Sequence, residues 1–388
     1  MIMIDELNIK KNLEEFSFPR LSGTIHEKRA FDLAYNKILG LNLKPQVQEF
    51  EFSTFYSRSY PKIGFISGFL LVLLFFINVT LATFTLIIIS PILIVLVIVM
   101  RKPENVKFYK KLKSANLFVR LKASKSPNKK KSNNPKRNIV FSCHLDSKGQ
   151  KLSILARVRS MRAWFFSALI TFFIILLKEL TPSNLNLIFI FLGIIPLSIN
   201  LIATLLIGIN TTKNSSHGAI DNASGIVCVL ELLRHYSNEN NRLENVDSWF
   251  VFTGCEETGT MGIRNLYKKL KVFDRNLFML VNFDSVGKGI TIFDSIFKPE
   301  GYHEFYNNFL NNRVGLEITQ RSKKINFGTH SDGTFIKKRL YQGVEFGDLS
   351  VYKYMHSKED TIDKVNTANL KNLCELIIEN VKLYYENK

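Results

Sequence analysis

Seven residues in this chain carry side chains that metal-assisted proton chemistry uses. They are His144 and Asp146 in "HLDS", Asp221 in "DNASG", Glu256 and Glu257 in "GCEETG", Asp284 in "FDSVG", and His356 in "MHSKED". The adjacent glutamates pose the sharpest question. In extended backbone, successive side chains point to opposite faces, so two neighbours cannot serve one spot. At a turn that ends a strand this restriction lifts, and one carboxylate could hold a metal while the other handles a proton. Two imidazoles and several carboxylates form a ligand set suited to divalent zinc. Taken singly, each residue has a plainer role. Acidic pairs in turns are mostly solvated, Asp221 could serve only as a helix cap, and either histidine could pack with its nitrogens satisfied. The set acquires meaning only if the fold brings it together.

The elements that must do so are legible. "QVQEFEF" (46–52) alternates with period two, and "NLFVRLKA" (116–123), "NIVFSC" (138–143), "SWFVFTG" (248–254) and "NLFMLVNFD" (276–284) read as further strands. "DNASGIVCVLELLRHYS" (221–237), opened by a capping-type Asp, "MGIRNLYKKLK" (261–271) and "TANLKNLCELIIENVKLYY" (367–385) carry helical periodicity. Strands alternating with helices imply an α/β fold, with a mixed, largely parallel central sheet and helices on both faces. In open α/β sheets, sites form beyond the carboxyl ends of strands. His144, Glu256, Glu257 and Asp284 all fall at such ends.

The ordered pattern His-x-Asp, Asp-Asn-x-x-Gly, Glu-Glu, Asp, His resembles the dizinc metallo-aminopeptidase family, peptidase family twenty-eight. Its relatives include glutaminyl cyclases and the transferrin receptor ectodomain. "PRLSGTIHEKRAFDLAYNKILGLNLKPQVQEFEF" (19–52) resembles the family's opening helix and strand, and "SDGTFIKKRLYQGVEF" (331–346) and "HSKEDTID" (356–363) its closing loops. The resemblance implies a zinc exopeptidase-like fold and two zinc ions per chain. His144 and Asp284 would bind one, Glu257 and His356 the other, and Asp221 would bridge both. It further implies that Asp146 orients His144 and that Glu256 takes a proton from water and passes it to the leaving amine. The implied substrate is a peptide with a free N-terminus. The same scaffold supports two alternatives: a glutaminyl cyclase-like acyltransferase, or a non-catalytic membrane receptor or scaffold. The family often carries His after the Ser-Asp pair where this chain has Gly333, which bears on the substrate pocket. His330 and His217 lie close to the motifs but out of pattern, and read as pocket or loop residues. His26, His235 and His303 fall in helical stretches and are assigned no role.

Two apolar blocks interrupt this domain. Residues 63–100 contain no charged side chain, and residues 163–209 are broken only by "KELTPSN" (178–184). A membrane span needs roughly 20 apolar residues, so each block has room for a transmembrane hairpin of two helices, the first turning at "NVT" (78–80). That first block is also short enough for a re-entrant hairpin. The expected division is one zinc-peptidase domain from 1–62, 101–162 and 210–388, with hairpins at 63–100 and 163–209. The long stretch between His144 and Asp221 is then filled by the second hairpin. Basic residues flank the blocks on one side: Arg58, Lys62, Arg101, Lys102, Lys107, Lys110, Lys111, Lys113, Arg157, Arg159, Arg162 and Lys213. Only Lys178 lies on the other. The positive-inside rule then places a multi-pass protein in the cell membrane with its catalytic domain facing the cytoplasm. The formal charge of +19 fits a partner bilayer with anionic head groups better than nucleic acid, for which no recognition pattern is present. The run "KKK" (129–131) reads as a solvated loop. Cys143, Cys228, Cys255 and Cys374 form no CxxC pair, as expected in a reducing compartment, and the N-terminus shows no signal-peptide pattern.

Overall fold

The computed structural model describes residues 4–124, 137–293, 307, 318–321, 331–339 and 341–386. The "KKK" run, His303 and His330 lie outside these. The chain divides into two compact units, one of residues 1–51, 112–149 and 213–388, the other of residues 52–111 and 150–212.

In chain order the elements are α1 (Glu6–Phe16), α2 (Ile25–Gly40), β1 (Gln46–Ser53), α3 (Tyr60–Ile77), α4 (Val79–Met100), β2 (Lys111–Leu121), β3 (Arg137–His144), β4 (Gly149–Gln150), α5 (Ile154–Leu180), α6 (Asn186–Ile209), β5 (Thr212–Lys213), α7 (Ser224–Ser237), β6 (Val246–Thr253), α8 (Met261–Leu270), β7 (Phe278–Phe283), β8 (Ile290–Phe293), β9 (Ile318–Arg321), α9 (Asp332–Lys337), β10 (Gln342–Gly347) and α10 (Thr367–Glu386). Eight strands form one sheet in the order β1-β2-β6-β3-β7-β10-β8-β9. Its centre is parallel, from β6 through β3 and β7 to β10. β2 runs antiparallel to β6, and β8 antiparallel to β10.

Alternation along the central strands sorts their side chains into two cores. Ile139 and Phe141 of β3 face the side packed by α1, α7 and α10, together with Ile226, Leu230, Leu373 and Ile377. Val140, between them, faces the other side with Ile263 and Leu266 of α8 and Phe335 and Ile336 of α9. Strands covered on both faces must be nearly continuous in apolar residues, which is why β3 and β7 read so plainly. Each such side chain, fully buried, contributes about 1.5–3 kcal/mol. The four cysteines are free and buried.

The second unit contains helices long and apolar enough to cross a membrane, by length and composition: Phe55–Ile77, Val79–Met100, Ile154–Leu180 and Ser183–Ile209. The first two are almost wholly exposed along their apolar windows. Asn78 separates α3 from α4, and its side chain accepts the Leu81 N–H at 2.9 Å, so the expected hairpin tip is present. α5 starts at Ile154, well before the apolar block at 163, because Ser153 accepts the Ala156 N–H and starts the helix there. Apolar composition alone could not locate that start. Asn200 of α6 donates to the Trp164 carbonyl of α5 at 2.7 Å and to Ser167 Oγ at 3.0 Å, the kind of polar contact that joins helices in an apolar medium.

Candidate metal centre

β6, β3 and β7 are neighbours and parallel, so their carboxyl ends lie side by side. His144 is the last residue of β3, paired in register with Thr253 of β6. Asp284 follows β7 directly, its N–H donating to the Phe346 carbonyl at 2.8 Å.

Glu256 and Glu257 follow β6 through Cys255, whose φ of 56° lies in the left-handed region, uncommon for a residue with a Cβ. The turn is held from several sides. The Cys255 N–H donates to Glu27 Oε1 at 2.9 Å, and its carbonyl accepts the Met261 N–H at 3.0 Å. The N–H groups of Glu256 and Glu257 then donate to Oδ1 and Oδ2 of Asp146, at 3.0 and 3.1 Å. Ser22 Oγ also donates to Asp146. One buried carboxylate therefore fixes the backbone of both glutamates.

Asp221 is not the helix cap that its place before α7 allows. It does not open the helix: α7 begins at Ser224, and Asp221 has extended backbone, with φ −116° and ψ 84°. Ala223 is the N-cap, and the Oδ1 of Asn222 before it accepts the Gly225 N–H of the first turn at 3.1 Å. The Asp221 carboxylate is left free of the helix end. Its loop is anchored by Asp360, whose carboxylate accepts the Ile220 N–H at 2.6 Å and the Asp221 N–H at 3.4 Å. Arg20 adds a second anchor. This fully buried guanidinium donates to the carbonyls of Leu145, Phe16, Phe18, His217 and Gly218, tying the "HLDS" loop to the segment before Asp221. Burial pulls its pKa down to about 10, so it stays charged near neutrality.

These elements bring five of the predicted residues to one place. Asp221 Oδ1 lies 3.1 Å from His144 Nε2, and Asp284 Oδ1 lies 3.7 Å from the same nitrogen. Asp221 Oδ2 lies 3.1 Å from His356 Nε2, and Glu257 Oε1 lies 3.0 Å from it. The ligand-capable atoms of His144, Asp221 and Asp284 lie within 4.8 Å of one another, as do those of Asp221, Glu257 and His356. Asp221 is common to both groups. His144 Nδ1 faces the Asp146 carbonyl at 3.0 Å. A carbonyl only accepts, so Nδ1 carries a proton, and Nε2 is the ring nitrogen left to face a metal.

The donor set fits a divalent cation on two counts. His144 Nε2 and Glu257 Oε1 are buried and complete no hydrogen bond, although each lies near 3 Å from a polar neighbour. The site also crowds carboxylates around two imidazoles. Burial works against charge on His144, yet Asp146, Asp221 and Asp284 raise its pKa well above the usual value. Burial likewise opposes charge on Asp221, and His144 and His356 outweigh it, holding that carboxyl well below the usual range. A field that holds protons so firmly calls for positive charge, which a metal supplies. Glu256 has the reverse setting: burial, with Asp284 and Glu257 adding to it, pushes its carboxyl well up against the pull of His144.

The remaining candidates are sorted by position. His217 is exposed, and its carbonyl is bound by Arg20. His26 lies in α2 and His235 in α7. Gly333 has a steric reason: a Cβ there would lie 2.8 Å from Oε2 of the buried Glu345, itself 3.0 Å from Lys337 Nζ. Sequence reasoning missed the supports Arg20, Ser22 and Glu27, which lie far from the candidate ligands along the chain, and Asp360, which follows His356 within "HSKEDTID". It also missed Lys148, whose only signal was its place directly after "HLDS".

Residues 203–381 match the sequence model of Peptidase family M28, so the resemblance drawn from the motifs holds. The matched stretch contains Asp221, Glu256, Glu257, Asp284 and His356; His144 and Asp146 precede it. No curated protein matches the chain in sequence. The fold is similar to that of an aminopeptidase from Aneurinibacillus sp. strain AM-1, at TM-score 0.58 and 14% identity, covering 97% of this chain and 93% of that one. It is similar to a zinc aminopeptidase from Bacillus subtilis (TM-score 0.54, 12% identity, 99% and 96% covered). A glutaminyl cyclase from Fimbriiglobus ruber also shares it (TM-score 0.55, 13% identity, 99% and 96% covered).

Proposed function

With the Peptidase family M28 match as premise, we propose that this chain is a membrane-anchored zinc aminopeptidase that removes N-terminal residues from peptides. The observation that carries the reading is Asp221, set between His144 and Asp284 on one side and Glu257 and His356 on the other. In this reading Asp221 would be shared by two zinc ions, with His144 and Asp284 completing one position and Glu257 and His356 the other. When bound, zinc lowers the pKa of water at the site from 15.7 to roughly 7 and polarises a carbonyl oxygen.

The chain's own residues supply the rest. Asp146 keeps the Nδ1 proton of His144 in place and holds the turn that carries Glu256. Glu256 accepts the proton of the attacking water and delivers it to the leaving amine. Burial, with Asp284 and Glu257 beside it, raises its pKa above the usual carboxyl value, the direction that makes a carboxylate a better proton acceptor. The near-complete burial of Asp146, Asp221 and Glu256 keeps bulk water from screening these interactions.

The catalytic domain is built from residues 1–62, 101–162 and 210–388, with membrane hairpins at 63–100 and 163–209. The exposed apolar helices and their one-sided basic flanks support insertion with this domain in the cytoplasm. Cysteine labelling at residue 130 tests the orientation: the site should react only after cells are opened, and labelling from outside intact cells would overturn it.

The activity is tested with matched peptides bearing free and blocked N-termini, using detergent-purified protein and Glu256→Ala. Free-ended peptides alone should be cleaved. The variant should lose activity by about 100- to 10,000-fold while retaining its zinc. Full activity in the variant would end the proposed role of Glu256. Cyclisation of glutamine-initiated peptides without any hydrolysis would replace the peptidase reading with the cyclase one.

A further inference from the structure

Lys148 is a cation set against one of the two metal-competent groups and not the other. Its Nζ lies 2.7 Å from Glu257 Oε2 and 3.3 Å from the Glu257 carbonyl. The side chain is only 15% exposed. Its loop has little freedom: Ser147 Oγ accepts the Arg20 N–H at 3.0 Å and donates to the Ser216 carbonyl at 3.1 Å, and the Ser147 N–H donates to the Arg20 carbonyl at 3.0 Å.

The contact divides the Glu257 carboxylate. Oε2 is taken by the ammonium, and Oε1 faces His356. At the other group, the Asp284 carboxylate meets His144 and the hydroxyl of Ser285, both neutral partners when His144 serves as a ligand. The two positions share Asp221 but differ in surroundings. One offers a carboxylate already half neutralised, with a positive charge one carboxylate away.

We propose that Lys148 is a positioning residue that makes the two metal positions unequal. It restricts Glu257 to a single donor oxygen and repels a cation held between Glu257 and His356, so this position fills last and empties first. The inference rests on the two-metal reading above. It gives the protein a singly loaded state between the empty and full ones, reached by metal availability alone.

The experiment is a zinc titration of the full chain in detergent after metal stripping, read by competition with a chromophoric chelator. It is run on the natural protein, Lys148→Met and Lys148→Arg. The natural protein and Lys148→Arg should bind two zinc ions in separable steps. Lys148→Met should tighten the weaker step by at least about tenfold, since a unit charge within a few ångströms is removed, and leave the tighter step unchanged. Thermal unfolding supplies a second readout. The metal-free Met variant should melt below the natural protein, because Glu257 Oε2 has lost its partner, and zinc should raise its midpoint by more than it raises the natural one. An unchanged or weakened second step in a variant that still binds the first ion would overturn the role of Lys148. A single zinc in all three proteins would remove the two-metal reading and the inference with it.

Discussion

The pair Lys337–Glu345 offers the clearest measure of how this fold supports the edge of its site. Lys337 ends α9, the helix that begins with Asp332 and Gly333, and Glu345 lies in β10. Their side chains are 6% and 4% exposed, and Nζ lies 3.0 Å from Oε2. Without the lysine, Glu345 retains among the described residues only Asn282 Nδ2, at 3.5 Å, too far for a strong bond. Lys337→Met should therefore strand a buried carboxylate and cost about 3–5 kcal/mol. For a domain of this size that lowers the unfolding midpoint by about 6–20 °C. Replacing both residues, Lys337→Met with Glu345→Leu, should recover most of the loss, because an apolar pair avoids the desolvation that the ion pair must offset. The assay is a double-mutant cycle on thermal unfolding of the full chain in detergent. Gly333→His belongs in the same series, since its Cβ would meet Glu345 Oε2 at 2.8 Å and push that side chain off the lysine. Two independent small losses that simply add in the double variant would refute the reasoning.

Glu27, which holds the turn before Glu256 and Glu257, provides a pH test. Burial, and next the charge of Asp146, push its carboxyl from 4.5 to about 8. The folded chain then holds a proton that the unfolded chain sheds, so stability falls as pH rises through that window, by about 2–3 kcal/mol from pH 5 to pH 7. Glu27→Gln cannot ionise and should lose this slope; parallel pH profiles for the two proteins would count against a neutral Glu27. Metal removal should act on stability as well as activity. Stripping zinc should lower the unfolding midpoint, and zinc at a thousandfold excess over its dissociation constant should restore about 4 kcal/mol. A midpoint indifferent to zinc and chelator would argue that the cluster holds no metal.

The legible parts were those governed by local rules. β3, β6 and β7 are apolar on both faces because helices cover both, and such strands read as continuous apolar runs. The ends of those runs placed His144, Glu256, Glu257 and Asp284 together, since parallel neighbours must share their carboxyl edge. The long apolar helices were equally plain, because roughly 20 apolar residues in helical form match the thickness of a bilayer's hydrocarbon core. The resemblance to a peptidase family supplied the pairing of the ligands, which residue types alone left open.

What the sequence could not supply was decided by contacts between distant segments. Asp221 has a helix cap's place in the sequence, and only the tertiary structure shows Asp360 holding the backbone of Ile220 and Asp221. Arg20 and Glu27, near the start of the chain, hold the loops beside Asp221 and Glu256 from more than a hundred residues away. Lys148 resembles an ordinary surface lysine until its ammonium is seen against Glu257. A side chain's type sets the chemistry it can perform, and local pattern sets the element that carries it. Which carboxylate is left free to act depends on where buried donors and charges end up, and those are fixed only when the whole chain has packed.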